Sequence, residues 1–180
     1  DLTVEEGEVI GLVGEIGSGK STLAYAMVRL LPVTSGTIRY RGGDVTGQGR
    51  RHLRSFWQRV QIIFQDTHSS LNPRKTVGQV LYDPLRVRGV SRGERPSEAG
   101  RLLAQVGLGP QFLHRYPHEL SGGQRQRVGI ARALAMTPEF LIADEPVSSL
   151  DVSLQAQILN LLIGLRSKLN LTMLFVSHDL

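Results

Sequence analysis

Apolar residues alternate along the chain between two kinds of spacing. Segments with apolar residues at helical spacing, KSTLAYAMVRLL and VSLQAQILNLLIGLRSKL, predict two helices, the first continuing until Pro32. Short β-branched and apolar runs predict strands at GEVIGLVG, TIRYR, RVQIIF, FLIAD and LTMLFVSHD. Apolar strands that alternate with helices favour an α/β fold, in which helices flank a mostly parallel sheet on both sides.

The middle of the chain has a helical pattern without strand signals. From Thr76 to about Arg115 the pattern is helical, in two or three pieces separated by VRGVSRGERP and GLGPQ. Another helix is predicted from about Gln124 to Ala135. We therefore expect residues 76–135 to form a helical subdomain inserted between parts of the α/β core.

Length and composition indicate a single globular domain over residues 1–180. The chain is too short for two ordinary domains, and 41% hydrophobic with 21% charged residues is typical of a soluble protein. No run approaches the roughly 20 apolar residues of a membrane helix. Cysteine is absent, which excludes disulfides and thiolate metal sites and favours the cytosol.

The net charge of +5 raises the question of nucleic-acid binding. The basic residues, however, are spread through several segments and interleaved with Asp and Glu. This pattern is more typical of solvated helix faces and nucleotide binding than of a nucleic-acid interface.

A glycine-rich loop follows the first predicted strand. GEIGSGKS, from Gly14 to Ser21, fits the pattern G-x-x-x-x-G-K-[ST] and lies between a strand and a helix, which predicts a P-loop NTPase core. The loop amides and the helix start would hold phosphates, Lys20 would reach the outer phosphates, and the Ser21 hydroxyl would bind Mg²⁺. An ordinary glycine turn with a surface lysine is the plain alternative. A dinucleotide fold is not favoured, since G-x-G-x-x-G spacing is absent.

Polar side chains stand at the ends of three later strands. Asp144 and Glu145 follow FLIA, Gln65 follows RVQIIF, and His178 follows LTMLFVS. Taken alone, each of these residues has a non-functional explanation: the acids as ordinary loop residues, and Gln65 and His178 as polar residues whose hydrogen bonds are made within the fold. Because ligands collect at the carboxyl ends of parallel strands, we expect these groups to share one site with the glycine loop. Asp144 is expected near Mg²⁺, and Glu145 is the candidate base for an attacking water.

A second glycine-containing helix start occurs at LSGGQRQR. Ser121 is in position to cap this helix, and the two glycines that follow allow close backbone approach, which predicts a second anion-binding helix start. It has no lysine, and the predicted helical insert separates it from Lys20. A second molecule turned head to tail would bring it to the phosphates instead.

These motifs, in this order and spacing, closely resemble the nucleotide-binding domain of ABC transporters. The resemblance implies a head-to-tail dimer with two ATP molecules sandwiched between the subunits; ATP closes the dimer and hydrolysis reopens it. The matching motifs are Walker A (GEIGSGKST), the Q-loop (Gln65), the signature (LSGGQ), Walker B (FLIADEP), the D-loop (SSLD, Ser148 to Asp151) and the switch histidine (SHD).

The resemblance also assigns residues to roles. It implies catalysis by Glu145, His178 and Gln65, and Mg²⁺ binding by Ser21, Gln65 and Asp144. The residues implied to bind ATP are Gly14, Glu15, Ile16, Gly17, Ser18, Gly19, Lys20, Ser21, Thr22, Ser121, Gly122, Gly123, Gln124 and Asp151.

A finer resemblance points to the importer branch for oligopeptides, dipeptides, nickel or glutathione. FQDTHSSLNPR and ADEPVSSLDVS match that branch except at Thr67 and Ser149, where Pro and Ala are usual, and in the glycine loop Ile16 stands where Ser is usual. The implied partners are a second ABC ATPase subunit, identical or different, transmembrane permease subunits and, indirectly, an extracytoplasmic solute-binding protein. The implied location is peripheral, on the cytoplasmic face of the inner membrane.

Two other functions share the same site. One is a soluble ABC ATPase that acts on nucleic acid or ribosomes; the span from Gln65 to Ser121 has neither the coiled-coil heptads nor the zinc-ligand clusters that would favour it. The other is a module that binds nucleotide without hydrolysis, against which Glu145 and His178 argue.

The resemblance further implies a core truncated at both ends. The family has an early strand with an aromatic residue that stacks on adenine, and further strands after the switch histidine. We therefore expect this chain to bind ATP more weakly than a version extended at both ends. A comparison of the two nucleotide affinities tests this, and equal values would contradict it.

Overall fold

The computed structural model describes residues 1–65, 70–148 and 150–178. Six residues of the motifs quoted above lie outside the described residues: Asp66, Thr67, His68, Ser69, Ser149 and Asp179. No membrane-spanning helix occurs in the part of the chain described, since no helix there combines the necessary length and apolar character.

A four-stranded parallel sheet forms the centre of the fold, in the order β1-β6-β5-β4. A separate antiparallel pair, β2 and β3, lies outside it, so the predicted strand TIRYR is reduced to two residues. The prediction of a mostly parallel sheet is confirmed. The strands are β1 Val9–Val13, β2 Arg39–Tyr40, β3 Gly43–Asp44, β4 Val60–Ile63, β5 Phe140–Asp144 and β6 Thr172–Ser177.

Six α-helices and two 3₁₀ helices connect the described strands. Helix α2 had no counterpart in the sequence pattern, because a helix of two turns that buries only Leu53 and Phe56 leaves too short a periodic signal. The α-helices are α1 Lys20–Met27, α2 Leu53–Arg59, α3 Val77–Val87, α4 Arg95–Gln105, α5 Gly122–Leu134 and α6 Val152–Leu169; the 3₁₀ helices are Pro110–His114 and Pro117–Glu119.

Helix α1 ends earlier than the apolar pattern predicts. The expectation that it continues until Pro32 is wrong, because Arg29 adopts a left-handed conformation with φ 60°. The Arg29 amide donates to the Ala26 carbonyl at 2.9 Å and the Leu30 amide to the Tyr25 carbonyl at 2.9 Å. These two hydrogen bonds form a Schellman motif, which stops a helix whatever the hydrophobic spacing beyond it.

The strands send alternate side chains to two hydrophobic clusters on opposite faces of the sheet. Leu141 and Met173 join the cluster formed with α3, α4, α5 and α6. Their neighbours Ile142 and Leu174 join the cluster formed with α1 and α2. This alternation follows from the two-residue period of a strand, and it explains why β5 is apolar from Phe140 to Ala143 and β6 from Met173 to Val176.

The range 76–135 contains α3, α4, α5 and both 3₁₀ helices, as the helical pattern predicts. Its buried residues, such as Leu81, Leu103 and Ile130, belong to the same cluster as Leu141 of the sheet. Helix α5 begins two residues earlier than predicted, directly after Ser121. The interpretation of this range as a distinct subdomain stays a prediction.

Helix α6 provides a matched test of the core. Leu162 is 0% exposed and Leu159 is 37% exposed on the same helix. Leu162→Ala is expected to lower the free energy of unfolding by about 3 kcal/mol, because it leaves a cavity. Leu159→Ala has the same cost in helix propensity and is expected to lose less than about 1 kcal/mol. Urea unfolding of both variants measures the difference; similar losses would contradict the assigned burial.

Candidate functional site

The backbone of the glycine loop has a left-handed conformation at two positions, and glycine adopts this conformation more easily than other residues do. Gly17 has φ 84° and Gly19 has φ 90°, both in the left-handed region, and a Cβ at either position would meet nothing within 4 Å. These two glycines are therefore required for conformation rather than for space. Gly19 precedes α1 and caps it with no side chain, so the first amides of this helix are available to an anion.

Lys20 is held inside the loop. Its side chain is 8% exposed, and Nζ donates to the carbonyl oxygens of Gly14 at 2.6 Å and Glu15 at 2.7 Å. Within the described residues it has no carboxylate at ion-pair distance. Nζ also donates to Ser18 Oγ at 3.4 Å, and a buried ammonium with only neutral oxygen partners favours the approach of an anion. The other loop residues predicted to bind ATP lie at the surface: Glu15, Ile16, Gly17, Ser18, Gly19 and Thr22.

Ser21 and Asp144 meet at the base of the loop. Ser21 Oγ donates to Asp144 Oδ1 at 3.0 Å, and the carboxylate is 0% exposed. The other carboxylate oxygen, Oδ2, is buried and makes no hydrogen bond to any described residue. An unpartnered carboxylate oxygen beside a serine hydroxyl fits Mg²⁺, which takes one or two protein carboxylates together with waters and phosphate oxygens.

Glu145 lies between the ends of two other strands. Gln65 Nε2 donates to Glu145 Oε2 at 2.7 Å, and His178 Nδ1 lies 3.4 Å from the same oxygen. Glu145 has a left-handed backbone with φ 42°, and its amide donates to the Val176 carbonyl of β6 at 3.0 Å. Three residues far apart in the chain are thus brought together, as the strand-end argument predicts.

The two adjacent carboxylates have different surroundings. Asp144 is fully buried and bonded to Ser21, whereas the Glu145 side chain is 12% exposed and bonded to Gln65. Both recorded contacts of the Glu145 side chain use Oε2, and none uses Oε1. Neighbouring carboxylates in different environments can take different roles, one binding a metal and the other accepting a proton.

Tyr25 is a site residue that the sequence reasoning missed. Burial raises its pKa to about 12, with the negative charge of Asp144 as the next cause and that of Glu145 as a smaller one. The phenol therefore stays protonated at neutral pH. A signal for it exists in the sequence, since Tyr25 follows Ser21 by one helical turn and side chains at this spacing share a face.

The second glycine-containing helix start has the predicted cap. Ser121 Oγ accepts a hydrogen bond from the Gln124 amide at 3.3 Å, and Gln124 Oε1 accepts one from the Ser121 amide at 3.0 Å. This is a capping box. Ser121 itself is exposed. The structure records no hydrogen bond between residues 121–124 and the described residues of the glycine loop.

The glycine pair after Ser121 allows close approach by leucines of the same chain. A Cβ on Gly122 would lie 3.3 Å from Leu150, and one on Gly123 would lie 3.3 Å from Leu154. Asp151, predicted to contact ATP, caps α6 by accepting a hydrogen bond from the Leu154 amide at 3.0 Å. The turn before α6 therefore packs directly on the start of α5.

A groove of about 1180 Å³ opens beside Gln65, between α1, α2 and β4 on one side and α3 and α5 on the other. Arg132 reaches across it and donates to the Ser70 carbonyl at 2.6 Å; burial lowers the pKa of this guanidinium. The groove combines apolar and basic side chains: Val28, Leu53, Trp57, Ile62 and Phe64, with Arg29, Arg50, Arg86 and Arg132.

Comparisons with known proteins give a consistent result. A Brucella ovis protein, named provisionally as a peptide import ATP-binding protein, is 52% identical over 98% of this chain and 56% of its own length. The oligopeptide transport ATP-binding protein AppF of Bacillus subtilis is 50% identical over 99% of this chain and 55% of its own length. The chain therefore spans about half the length of these relatives.

Solved structures and a family model agree with the sequence relatives. The dimeric structure of MJ0796, a bacterial ABC transporter cassette, matches with TM-score 0.87 and 32% identity over 99% of this chain and 78% of that one. A post-hydrolysis dimer of MJ0796 bound to ADP and Pi matches with TM-score 0.84 and 31% identity, with the same coverage. The family model described as ABC transporter matches residues 1–148. The chain belongs to the ABC transporter family.

Proposed function

We propose that this chain binds and hydrolyses ATP to power the import of peptides or related small solutes. The observation that carries the proposal is the position of Glu145, held by Gln65 and His178 next to the buried pair of Ser21 and Asp144. This arrangement suits phosphoryl transfer to water. The names of the peptide-transport relatives support the importer assignment.

Phosphate binding begins with an exchange at Lys20. Its ammonium now donates to the carbonyl oxygens of Gly14 and Glu15, and it would turn from them to the outer phosphates of ATP. The exposed loop amides and the uncapped start of α1 surround the same position. The binding energy thus comes from replacing neutral carbonyls with charged phosphate oxygens.

Mg²⁺ held by Ser21 and Asp144 would offset the negative charge of the phosphates. Gln65 is the third ligand that the sequence predicts, and its amide donates to Glu145 through Nε2, so Oε1 is the atom that suits a metal. Gln65 would then contact the metal through Oε1 and the general base, Glu145, through Nε2.

Glu145 acts in this proposal as the general base. Oε1 takes a proton from a water as the water oxygen attacks the γ-phosphorus and the bond to the β,γ-bridging oxygen breaks. Gln65 and His178 hold the other oxygen and thereby orient the carboxylate. The left-handed backbone at Glu145 is a strained feature of the kind that collects at active sites.

We further propose that two such subunits, identical or different, assemble head to tail around ATP. Ser121 is exposed at the start of α5, where the capping box uses the Ser121 and Gln124 amides, and the positive end of the helix suits the phosphates of a neighbour's nucleotide. The dimeric MJ0796 structures support this assembly.

The groove beside Gln65 is our candidate contact for a transmembrane permease subunit, with the chain on the cytoplasmic face of the membrane. Its lining combines apolar side chains with four arginines and one acid, Asp83, and this excess of positive charge suits an amphipathic segment with acidic residues. Gln65 and Phe64 both line it, so an occupant would touch the segment that bonds to Glu145. An extracytoplasmic solute-binding protein would act only through the permease.

Glu145→Gln tests the assigned base. The variant is expected to bind ATP normally and to lower kcat for hydrolysis by about 10²–10⁴-fold, because an amide cannot accept the proton. Phosphate release and nucleotide binding measure the two effects separately. Glu98→Gln, which changes an acid of α4 paired with Arg88, is the matched control and should hydrolyse ATP normally. Wild-type turnover in Glu145→Gln would disprove the assignment.

Ser121→Ala tests the proposed head-to-tail dimer against a matched capping box. Thr76 caps α3 with the same geometry as Ser121 caps α5: the amide of the following Gln donates to the hydroxyl at 3.3 Å in both, and the return bond is 3.0 Å in both. Each alanine variant is expected to lose about 1 kcal/mol of stability. Only Ser121→Ala should weaken ATP-dependent dimerisation in Glu145→Gln, measured by light scattering. Equal weakening by Thr76→Ala would contradict a direct role.

A further inference from the structure

Arg127 links the helix that begins after Ser121 to two other helices. It lies on α5, and its Nη1 donates to the Val106 carbonyl, directly after α4, at 2.7 Å. Its Nη2 donates to Gln157 Oε1 on α6 at 3.4 Å. Within residues 1–65, 70–148 and 150–178, no carboxylate lies at ion-pair distance from Arg127. The guanidinium therefore connects α4, α5 and α6 through neutral acceptors.

The contact with α4 is made at a tight helix end. Gly107 has φ 73°, and the Gly107 and Leu108 amides donate to carbonyls of α4 at 3.1 and 2.9 Å, which is a Schellman motif. The carbonyl of Val106, a residue that is 0% exposed, has no partner within the helix, and Arg127 supplies the donor. A Cβ on Gly107 would lie 3.0 Å from Nη1, so the guanidinium packs directly against this backbone.

The contact with α6 continues the packing at the start of α5. Gly123 approaches Leu154, and Arg127 meets Gln157 further along both helices. Arg127 follows Gly123 by four residues and Gln157 follows Leu154 by three, and each of these spacings places two residues on one helix face. The two helices therefore run in the same direction here and are joined at two successive turns.

This joint determines where Ser121 lies relative to Glu145. Leu150, between Glu145 and α6, lies where Gly122 has no side chain, so the start of α5 rests on the segment that follows the proposed base. A rotation of α5 against α6 would move Ser121 relative to Glu145. In the proposed dimer these two residues serve different nucleotides, so both pockets can close together only if their relative position is fixed.

We propose that Arg127 is a positioning residue for ATP-dependent dimerisation, which fixes the start of α5 against α4 and α6. The inference rests on the head-to-tail dimer proposed above. It assigns Arg127 no contact with nucleotide. Its effect is therefore expected on the association of two ATP-bound subunits, and not on nucleotide binding by one subunit.

The test compares variants made in the Glu145→Gln chain. Arg127→Ala is expected to raise the protein concentration at which half the chains dimerise in ATP roughly tenfold, measured by light scattering. Its affinity for a non-hydrolysable ATP analogue, measured well below that concentration, is expected to be unchanged, because Lys20 and the glycine loop are unaltered.

Arg95→Ala is the matched control for stability. Arg95 is also half-buried, and its Nε donates at 3.0 Å to a carbonyl that follows a helix, that of Val90 after α3. It should lower the temperature of thermal unfolding about as much as Arg127→Ala does and leave dimerisation unchanged. Equal weakening of dimerisation by the two variants would refute the role of Arg127, because that pattern indicates a general loss of stability.

Two further variants separate positioning from a direct attraction of the neighbour's phosphates. Arg127→Lys keeps the charge but lacks the planar set of donors that holds two acceptors at once, so it should dimerise as weakly as Arg127→Ala. Gln157→Ala removes only the acceptor on α6; it should weaken dimerisation alone and add little to Arg127→Ala.

The outcomes distinguish this inference from the proposed function. Full dimerisation of Arg127→Lys would overturn the positioning role, since charge alone would then suffice, and so would full dimerisation of Gln157→Ala. Absence of an ATP-dependent dimer in the Glu145→Gln chain itself would instead overturn the proposed head-to-tail assembly.

Discussion

The position of the whole site depends on the burial of β5 between β4 and β6. Leu141, Ile142 and Ala143 are 0% exposed, so neither face of this strand can shift toward solvent. The parallel register sets Ala143 beside Ile63 of β4 and Phe175 of β6. A slip by one residue would exchange the two faces of the strand and bury the wrong side chains. The hydrophobic core therefore determines where the two acids after it emerge.

Two buried charges near this edge lack opposite charges among the described residues. Asp144 is fully buried with a serine hydroxyl as its partner, and Lys20 is nearly buried with two carbonyls and the Ser18 hydroxyl as its partners. Such groups cost free energy that the folded chain alone does not fully offset. A metal ion beside Asp144 and phosphates beside Lys20 would each supply the missing charge. One Mg²⁺-nucleotide complex would supply both opposite charges, so binding of this ligand would stabilise the folded chain.

The sequence predicted the sheet, the strand-end groups and the cap at Ser121, because each follows from hydrophobic period or local hydrogen bonding. It did not predict the end of α1, since the left-handed conformation falls on Arg29, where no glycine marks it. Tyr25 was missed for another reason. The raised pKa of its hydroxyl comes first from burial and then from the charge of Asp144, and both are properties of tertiary packing rather than of the helix that carries the tyrosine.

The glycines of the signature, Gly122 and Gly123, allow close packing between two parts of the proposed site: the turn after Glu145 and the start of α5 at Ser121. Ser148 Oγ donates to the Glu145 carbonyl at 3.2 Å, so the turn after the proposed base is held against it. The same turn leads to Leu150, which lies where Gly122 has no side chain. A larger residue at Gly122 would push this turn or the start of α5. In a head-to-tail dimer, Glu145 and Ser121 of one chain serve different nucleotides, and this short packed segment is the covalent and steric connection between them.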